Sequence, residues 1–224
     1  MKTTFRSVAA AGLLALLAGT SQAGIAYGSN LVVNGDAEAG TAGWLSYDSY
    51  SPIQSVDYGN NWVKPSQPGP ADRGSKMFTG TGGYAVGYQM LDLGGSTTQA
   101  LSYTLSGWLG GWAAQGDNAL FYVSFLGEDG GEIGHAALGP VTPADRKNAT
   151  GLWYQEALGL LPVGTSSLGF WLSMERQGGG DNDGYADNLA FALQAPAQVP
   201  EPQTLALLAL SLGLLALQRR RAQR

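Results

Sequence analysis

Between residues 24 and 198, apolar side chains in this sequence alternate with polar ones, and no long stretch repeats every three to four positions as an amphipathic helix would. The clearest case is Leu101-Ser102-Tyr103-Thr104-Leu105-Ser106-Gly107-Trp108-Leu109. Successive side chains of an extended chain point to opposite faces. Leu101, Tyr103, Leu105 and Leu109 therefore share one side, and Ser102, Thr104, Ser106 and Trp108 the other. Phe121, Val123 and Phe125 repeat the pattern, with Tyr122, Ser124 and Leu126 outward. So do Leu168, Phe170, Leu172 and Met174, with Trp171, Ser173 and Glu175 outward. Strands with one buried face must pair their sheets, which predicts an all-β sandwich or barrel.

Turn residues divide the remaining strands. Glycine supplies 34 of the 224 residues, and Gly, Asp and Asn interrupt each apolar run. Further strands are expected at Ile53–Asp57, Met77–Thr79, Tyr84–Leu93, Glu132–Leu138, Trp153–Leu158 and Tyr185–Leu193. A hairpin turn is expected at Glu128-Asp129-Gly130-Gly131, a bend at Gly110-Gly111 and a loop over Gly178–Gly184. One domain over 24–194 suits this length.

Both ends of the chain carry other signals. Lys2 and Arg6, the apolar run Val8–Gly19 and the small-residue site ending at Ala23 predict a secretory signal peptide over 1–23, with export through the Sec machinery. After the short linker 195–198, residues 199–224 form three blocks. These are Pro200-Glu201-Pro202, an uncharged apolar run predicted as a short hydrophobic helix over 204–218, and a tail with Arg219, Arg220 and Arg221. Arginines are retained on the cytoplasmic side, which would leave everything before the run outside the membrane. The thirteen residues Leu205–Leu217 would span roughly 20 Å as a helix, against about 30 Å of hydrocarbon. That length favours a transient anchor.

Composition removes several function classes. Between residues 24 and 198 lie six bases (Lys64, Arg73, Lys76, Arg146, Lys147 and Arg176) and 16 of the 17 acids, a net charge of −10. Nucleic acid is excluded as a partner, because a phosphate backbone needs clustered cations. The absence of cysteine excludes disulfide scaffolds, zinc thiolates and cysteine nucleophiles. His135, the single histidine, sits in an ordinary strand pattern with no nucleophile elbow elsewhere. Sixteen acids offer chance carboxylate pairs, but none in a setting that would raise one pKa selectively, as glycoside hydrolysis needs. The chain reads as non-enzymatic.

Two sets of side chains remain as site candidates. Trp108, Tyr122 and Trp171 face away from the core residues of their own strands. Trp112 lies four residues beyond Trp108, about 13 Å along a strand. Such rings either stack on sugar C–H faces or pack beneath loops. In the closing strand Asp187 alternates with Leu189, Phe191 and Leu193, which predicts a carboxylate on the core side. A buried carboxylate needs hydrogen-bond donors or a cation.

The C-terminal blocks, in this order, resemble the PEP-CTERM sorting signal of Gram-negative bacteria. The resemblance implies handling by a membrane-embedded exosortase that cuts near Pro200-Glu201-Pro202, and association with extracellular polysaccharide and biofilm. The expected location is the cell surface or extracellular matrix. Asn30-Leu31-Val32-Val33-Asn34-Gly35-Asp36-Ala37-Glu38-Ala39-Gly40 with Trp44, the Leu101–Trp108 strand, and Tyr185-Ala186-Asp187-Asn188-Leu189 resemble galactose-binding-like jelly rolls, including carbohydrate-binding modules. That resemblance implies a jelly-roll β-sandwich that binds polysaccharide through Trp108, Trp112, Tyr122 and Trp171. It also implies a structural calcium where the first and last motifs meet, with Glu38 and Asp187 at the matching positions. The alternatives are a structural matrix protein without a glycan site and, third, a glycoside hydrolase.

Overall fold

The computed structural model describes residues 26–195. The signal segment with Ala23, the helix over 204–218, and Pro200, Glu201, Pro202, Arg219, Arg220 and Arg221 lie outside the described residues. The strands are β1 (Leu45–Ser46), β2 (Ile53–Asp57), β3 (Lys76–Gly80), β4 (Tyr84–Asp92), β5 (Leu101–Gly111), β6 (Asn118–Leu126), β7 (Glu132–Leu138), β8 (Gly151–Leu161), β9 (Ser167–Glu175) and β10 (Asn182–Leu193).

Among the described residues these strands form two five-stranded sheets, ordered β1-β4-β9-β6-β7 and β2-β3-β10-β5-β8. All the strand pairs are antiparallel. Without the edge strands β1 and β2, the eight strands β3 to β10 fall into β3-β10-β5-β8 facing β4-β9-β6-β7. That is the jelly-roll order, in which the chain changes sheet at each step except the β6–β7 hairpin. The fold is an all-β jelly-roll sandwich.

The alternation read from sequence sets the core. Leu101, Tyr103, Leu105 and Leu109 from one sheet meet Phe121, Val123, Phe125, Leu168, Phe170, Leu172 and Met174 from the other. Rings from both sheets interleave, with Phe170 5.8 Å and Tyr103 5.1 Å from Phe191 between centroids. The opening motif forms turns rather than a strand, held by its asparagines. Asn30 donates to Leu189 O and accepts from Val32 N and Phe191 N. Asn34 donates to Gly40 O and Ala42 O, and Trp44 Nε1 donates to Asn34 O. The motif thus ties the first residues of the domain to its last strand.

Three sequence expectations are corrected. The pair Gly110-Gly111 does not bend the chain: β5 runs through it, opposite Leu152 and Gly151. The glycines are there because a Cβ on Gly110 would sit 1.8 Å from Gly151 O. Gly110→Ala should therefore push β5 and β8 apart and destabilise the domain by about 3 kcal/mol, the upper range for overpacking, read as a lowered urea midpoint. The second correction concerns the loop expected over Gly178–Gly184. Its last residues, Asn182-Asp183-Gly184, are buried in β10, where Asn182 Nδ2 donates to Met174 O.

The third correction is to Asp187. It does not face the inter-sheet core. The register of β10 against β5 shifts between Asp187 and Ala190, with Asn188 at φ +47°. One extra residue there reverses the alternation. Leu189, Phe191 and Leu193 keep the core face, while Asp187 lies opposite Trp108 on the outer face.

Candidate functional site

An aromatic row crosses the outer face of the β1-β4-β9-β6-β7 sheet. Trp171 on β9 pairs directly with Tyr88 on β4 and with Tyr122 on β6, so the three share that face. Trp171 stacks on Tyr88 with centroids 5.1 Å apart and planes at 20°. Tyr47, in the segment after β1, meets the edges of both rings at 6.1 Å. Tyr50 stacks on Tyr47 at 5.8 Å and meets Tyr84 at 5.1 Å. Tyr47, Tyr50, Tyr84, Tyr122 and Trp171, with Val86, Leu120 and Ser173, line an open cleft of ≈ 360 Å³.

Polar groups fix the far side of the row. Tyr122 Oη donates to Glu132 Oε1 at 2.7 Å, and His135 Nδ1 lies 3.1 Å from the same oxygen. The His135 imidazole stacks on the Tyr122 ring with centroids 5.1 Å apart. Burial, and then this bond to Glu132, push the Tyr122 hydroxyl up to about 12. The bond from Tyr122 is the main reason the Glu132 carboxyl lies below its ordinary value. Tyr122 therefore presents a neutral ring in a fixed orientation. The cleft combines flat apolar faces with a hydroxyl at Ser173 and a carboxylate at its rim, which suits stacking on a sugar ring with polar contacts at its edge. The row spans roughly 10 Å from Tyr88 to Tyr122, two strand spacings.

The four aromatics singled out from sequence divide into two pairs. Tyr122 and Trp171 come together in this cleft. Trp108 lies on the other sheet and Trp112 just past the end of its strand β5, both packed, like Tyr58 and Trp62, against Val63, Met77, Leu152 and Tyr185. All of them leave the inter-sheet core, as alternation predicts. A strand's alternation does not say which of two sheets it joins, and the two outer faces look in opposite directions. Tyr84 and Tyr88 were missed, and their spacing of four residues on β4, which puts both on one face, is the signal that could have found them. Tyr47 and Tyr50 lie in a loop with no periodic signal.

Glu38 and Asp187 sit near the opening motif. Asp187 is fully buried; its Oδ2 accepts from Tyr58 Oη, and its Oδ1 accepts from Asn188 N at 2.7 Å. Burial pushes its carboxyl up to about 7, and the nearby acids Asp36 and Glu38 add to the rise. Glu38 is exposed and accepts from Ser75 N, Ser75 Oγ and Lys76 N at 2.7–2.8 Å. Neither carboxylate has an ion-pair partner among the described residues, because Lys76 Nζ binds Asp57. Three or more acidic or imidazole side chains do not gather around any metal position among the described residues. A cation here would rest on these two carboxylates and main-chain oxygens.

A separate polar node lies where β5 ends and β10 begins. Asp117 is buried between β5 and β6 and accepts from Gln177 N, Gly178 N and Asp183 N at 2.7–2.9 Å. Arg146, almost fully buried, donates to Ala113 O, Ala149 O and Gln115 O. Burial lowers the Arg146 guanidinium's pKa, and the adjacent Tyr185 and Asp117 oppose that fall.

The family model of the PEP-CTERM protein-sorting motif matches residues 198–222. A search of the curated proteins returns no match. Solved structures that resemble the fold include the enzymatically active domain of tailspike protein 4 from bacteriophage CBA120. It is 12% identical with a TM-score of 0.48, and the match covers 73% of this chain and 21% of that one. This chain therefore spans about a fifth of the tailspike structure. The Family 16 Carbohydrate Binding Module-2 is 24% identical with a TM-score of 0.48, covering 73% of this chain and 99% of the module. The CBM22-1 xylan-binding domain from Paenibacillus barcinonensis Xyn10C is 15% identical with a TM-score of 0.38, covering 70% and 89%. The chain thus joins a jelly-roll domain to a PEP-CTERM sorting motif, which implies export and processing by an exosortase.

Proposed function

We propose that this chain is a non-enzymatic protein of the cell surface or extracellular matrix that holds exopolysaccharide on the outer face of the β1-β4-β9-β6-β7 sheet. The observation that carries this reading is the open cleft lined by Trp171, Tyr122, Tyr47, Tyr50 and Tyr84, with Tyr88 stacked on Trp171 beside it. Large aromatics are usually covered in a monomer. Here they gather on an uncovered face, beside the hydroxyls and carboxylate that would read a sugar's own hydroxyls. The domain would be exported through Sec, held transiently in the membrane by residues 204–218, and retained in a biofilm matrix after processing. The alternative, a structural matrix protein without a glycan site, needs all four rings in packing, and Trp108 and Trp112 pack against the domain's second cluster in that way.

Migration of residues 24–198 through gels containing the producing organism's exopolysaccharide tests the reading. The described residues alone complete both sheets and the core between them, so the excised domain is expected to fold. Retardation relative to a polysaccharide-free gel is expected. Unretarded migration at every polysaccharide concentration would overturn the reading.

Structural calcium at Glu38 and Asp187 belongs to the same proposal. Its support is a buried carboxylate with two neighbouring acids and no cationic side chain bonded to it. The ion would supply the charge that Asp187 lacks and lock the opening turns to β10. Calcium at about 100 times its dissociation constant should add roughly 2.7 kcal/mol, or about 5–10 °C in Tm for a domain of this size. Chelator should reverse the gain and Asp187→Asn should remove it. An unchanged Tm would leave Tyr58 and Asn188 as the partners that satisfy Asp187.

A further inference from the structure

The end of β8 exposes an apolar patch. Leu158 and Leu160 are 71% and 65% exposed, and Val163, in the turn that follows, is 58% exposed. Both leucines lie on the outer face of their sheet, opposite Thr104 and Ser102 of β5. β8 is an edge strand, and from Gly151 to Leu161 it carries no lysine or proline to blunt that edge. The chain leaves the domain at the same pole. Gln194 N donates to Ser102 O, and Ser102 pairs with Leu160. Tyr27, near the start of the described chain, bridges to Leu193 there. From Ala195 to Leu205 the chain can reach at most about 35 Å, so whatever holds the apolar run Leu205–Leu217 also holds this pole close by.

We infer that this pole is the lipid-facing surface of the tethered precursor, with Leu158, Leu160 and Val163 resting in the headgroup region of the bilayer. The inference depends on the proposed membrane attachment of residues 204–218. The patch lies where the tether leaves the domain, and a short tether raises the effective concentration of even a weak contact. The contact is apolar, as in interfacial segments that bury hydrophobic side chains at the acyl boundary. A second copy is a poorer occupant, because each domain carries a net charge of −10 and like charges repel.

The absence of cysteine allows one reporter site at a time. Leu160→Cys and, at the opposite pole between β5 and β6, Ala114→Cys are each labelled with nitrobenzoxadiazole in the chain from residue 24 to 224. Each is then reconstituted into phosphatidylcholine vesicles that contain doxyl-labelled lipid. In floated vesicles, quenching at position 160 should exceed that at 114 at least threefold, and adding Leu158→Glu should remove the excess. Equal quenching at the two sites in floated vesicles would overturn the inference alone. A blue shift at 160 without lipid would also overturn it, assigning the patch to the chain's own apolar run if it survives dilution and to a second copy if it does not. A chain that does not float would overturn the membrane reading along with the inference.

Discussion

Asp117→Ala is expected to destabilise the domain by roughly 3–9 kcal/mol, a large loss for one substitution. The carboxylate accepts three main-chain N–H groups, from Gln177, Gly178 and Asp183. Each buried donor left without an acceptor costs about 1–3 kcal/mol. The loss falls on a total stability of about 5–15 kcal/mol for an ordinary domain. It also removes the negative charge beside the buried Arg146 guanidinium, whose hydrogen bonds go to the carbonyls of Ala113, Ala149 and Gln115. Asp117→Asn keeps the shape and one acceptor oxygen and should cost less. Urea unfolding reads the difference directly, and an unchanged midpoint for Asp117→Ala would show that solvent replaces the carboxylate at no cost.

Trp171→Ala should weaken polysaccharide binding at least tenfold, about 1.4 kcal/mol, while leaving the fold intact. Trp171 is the centre of the row. Its removal takes away the ring stacked on Tyr88 and the edge contact to Tyr47, and opens the middle of the cleft. The side chain is only half-buried and lies outside the inter-sheet core, so stability should fall little. Trp108→Ala should do the reverse. Trp108 is half-buried too, but its ring covers the buried cluster Val63, Met77, Leu152 and Tyr185, so its cost should appear in the unfolding midpoint and not in binding.

Much of the architecture was legible because alternation is a local property. Leu101 to Leu109, Phe121 to Phe125 and Leu168 to Met174 each declared the buried face of their strand, and the structure keeps all three. What depended on neighbours was not legible. The Gly110-Gly111 pair reads as a turn until the approach of Gly151 O is known. Asn188 carried a faint signal, since asparagine tolerates the left-handed backbone that a bulge requires, but nothing local says that Asp187 turns outward there. The aromatic site was half legible. Sequence supplied Tyr122 and Trp171 and their outward direction, whereas pairing across β4, β9 and β6 brought in Tyr84 and Tyr88, and the segment after β1 brought in Tyr47 and Tyr50.

The central claim is that one outer face, and not the other, meets the polysaccharide. Retention of residues 24–198 on immobilised exopolysaccharide, compared for the unaltered domain, Trp171→Ala and Trp108→Ala, tests it most directly. The account predicts retention of the unaltered domain and of folded Trp108→Ala, with loss in Trp171→Ala. Retention that survives in Trp171→Ala and disappears in folded Trp108→Ala would place the contact on the opposite sheet and contradict the account.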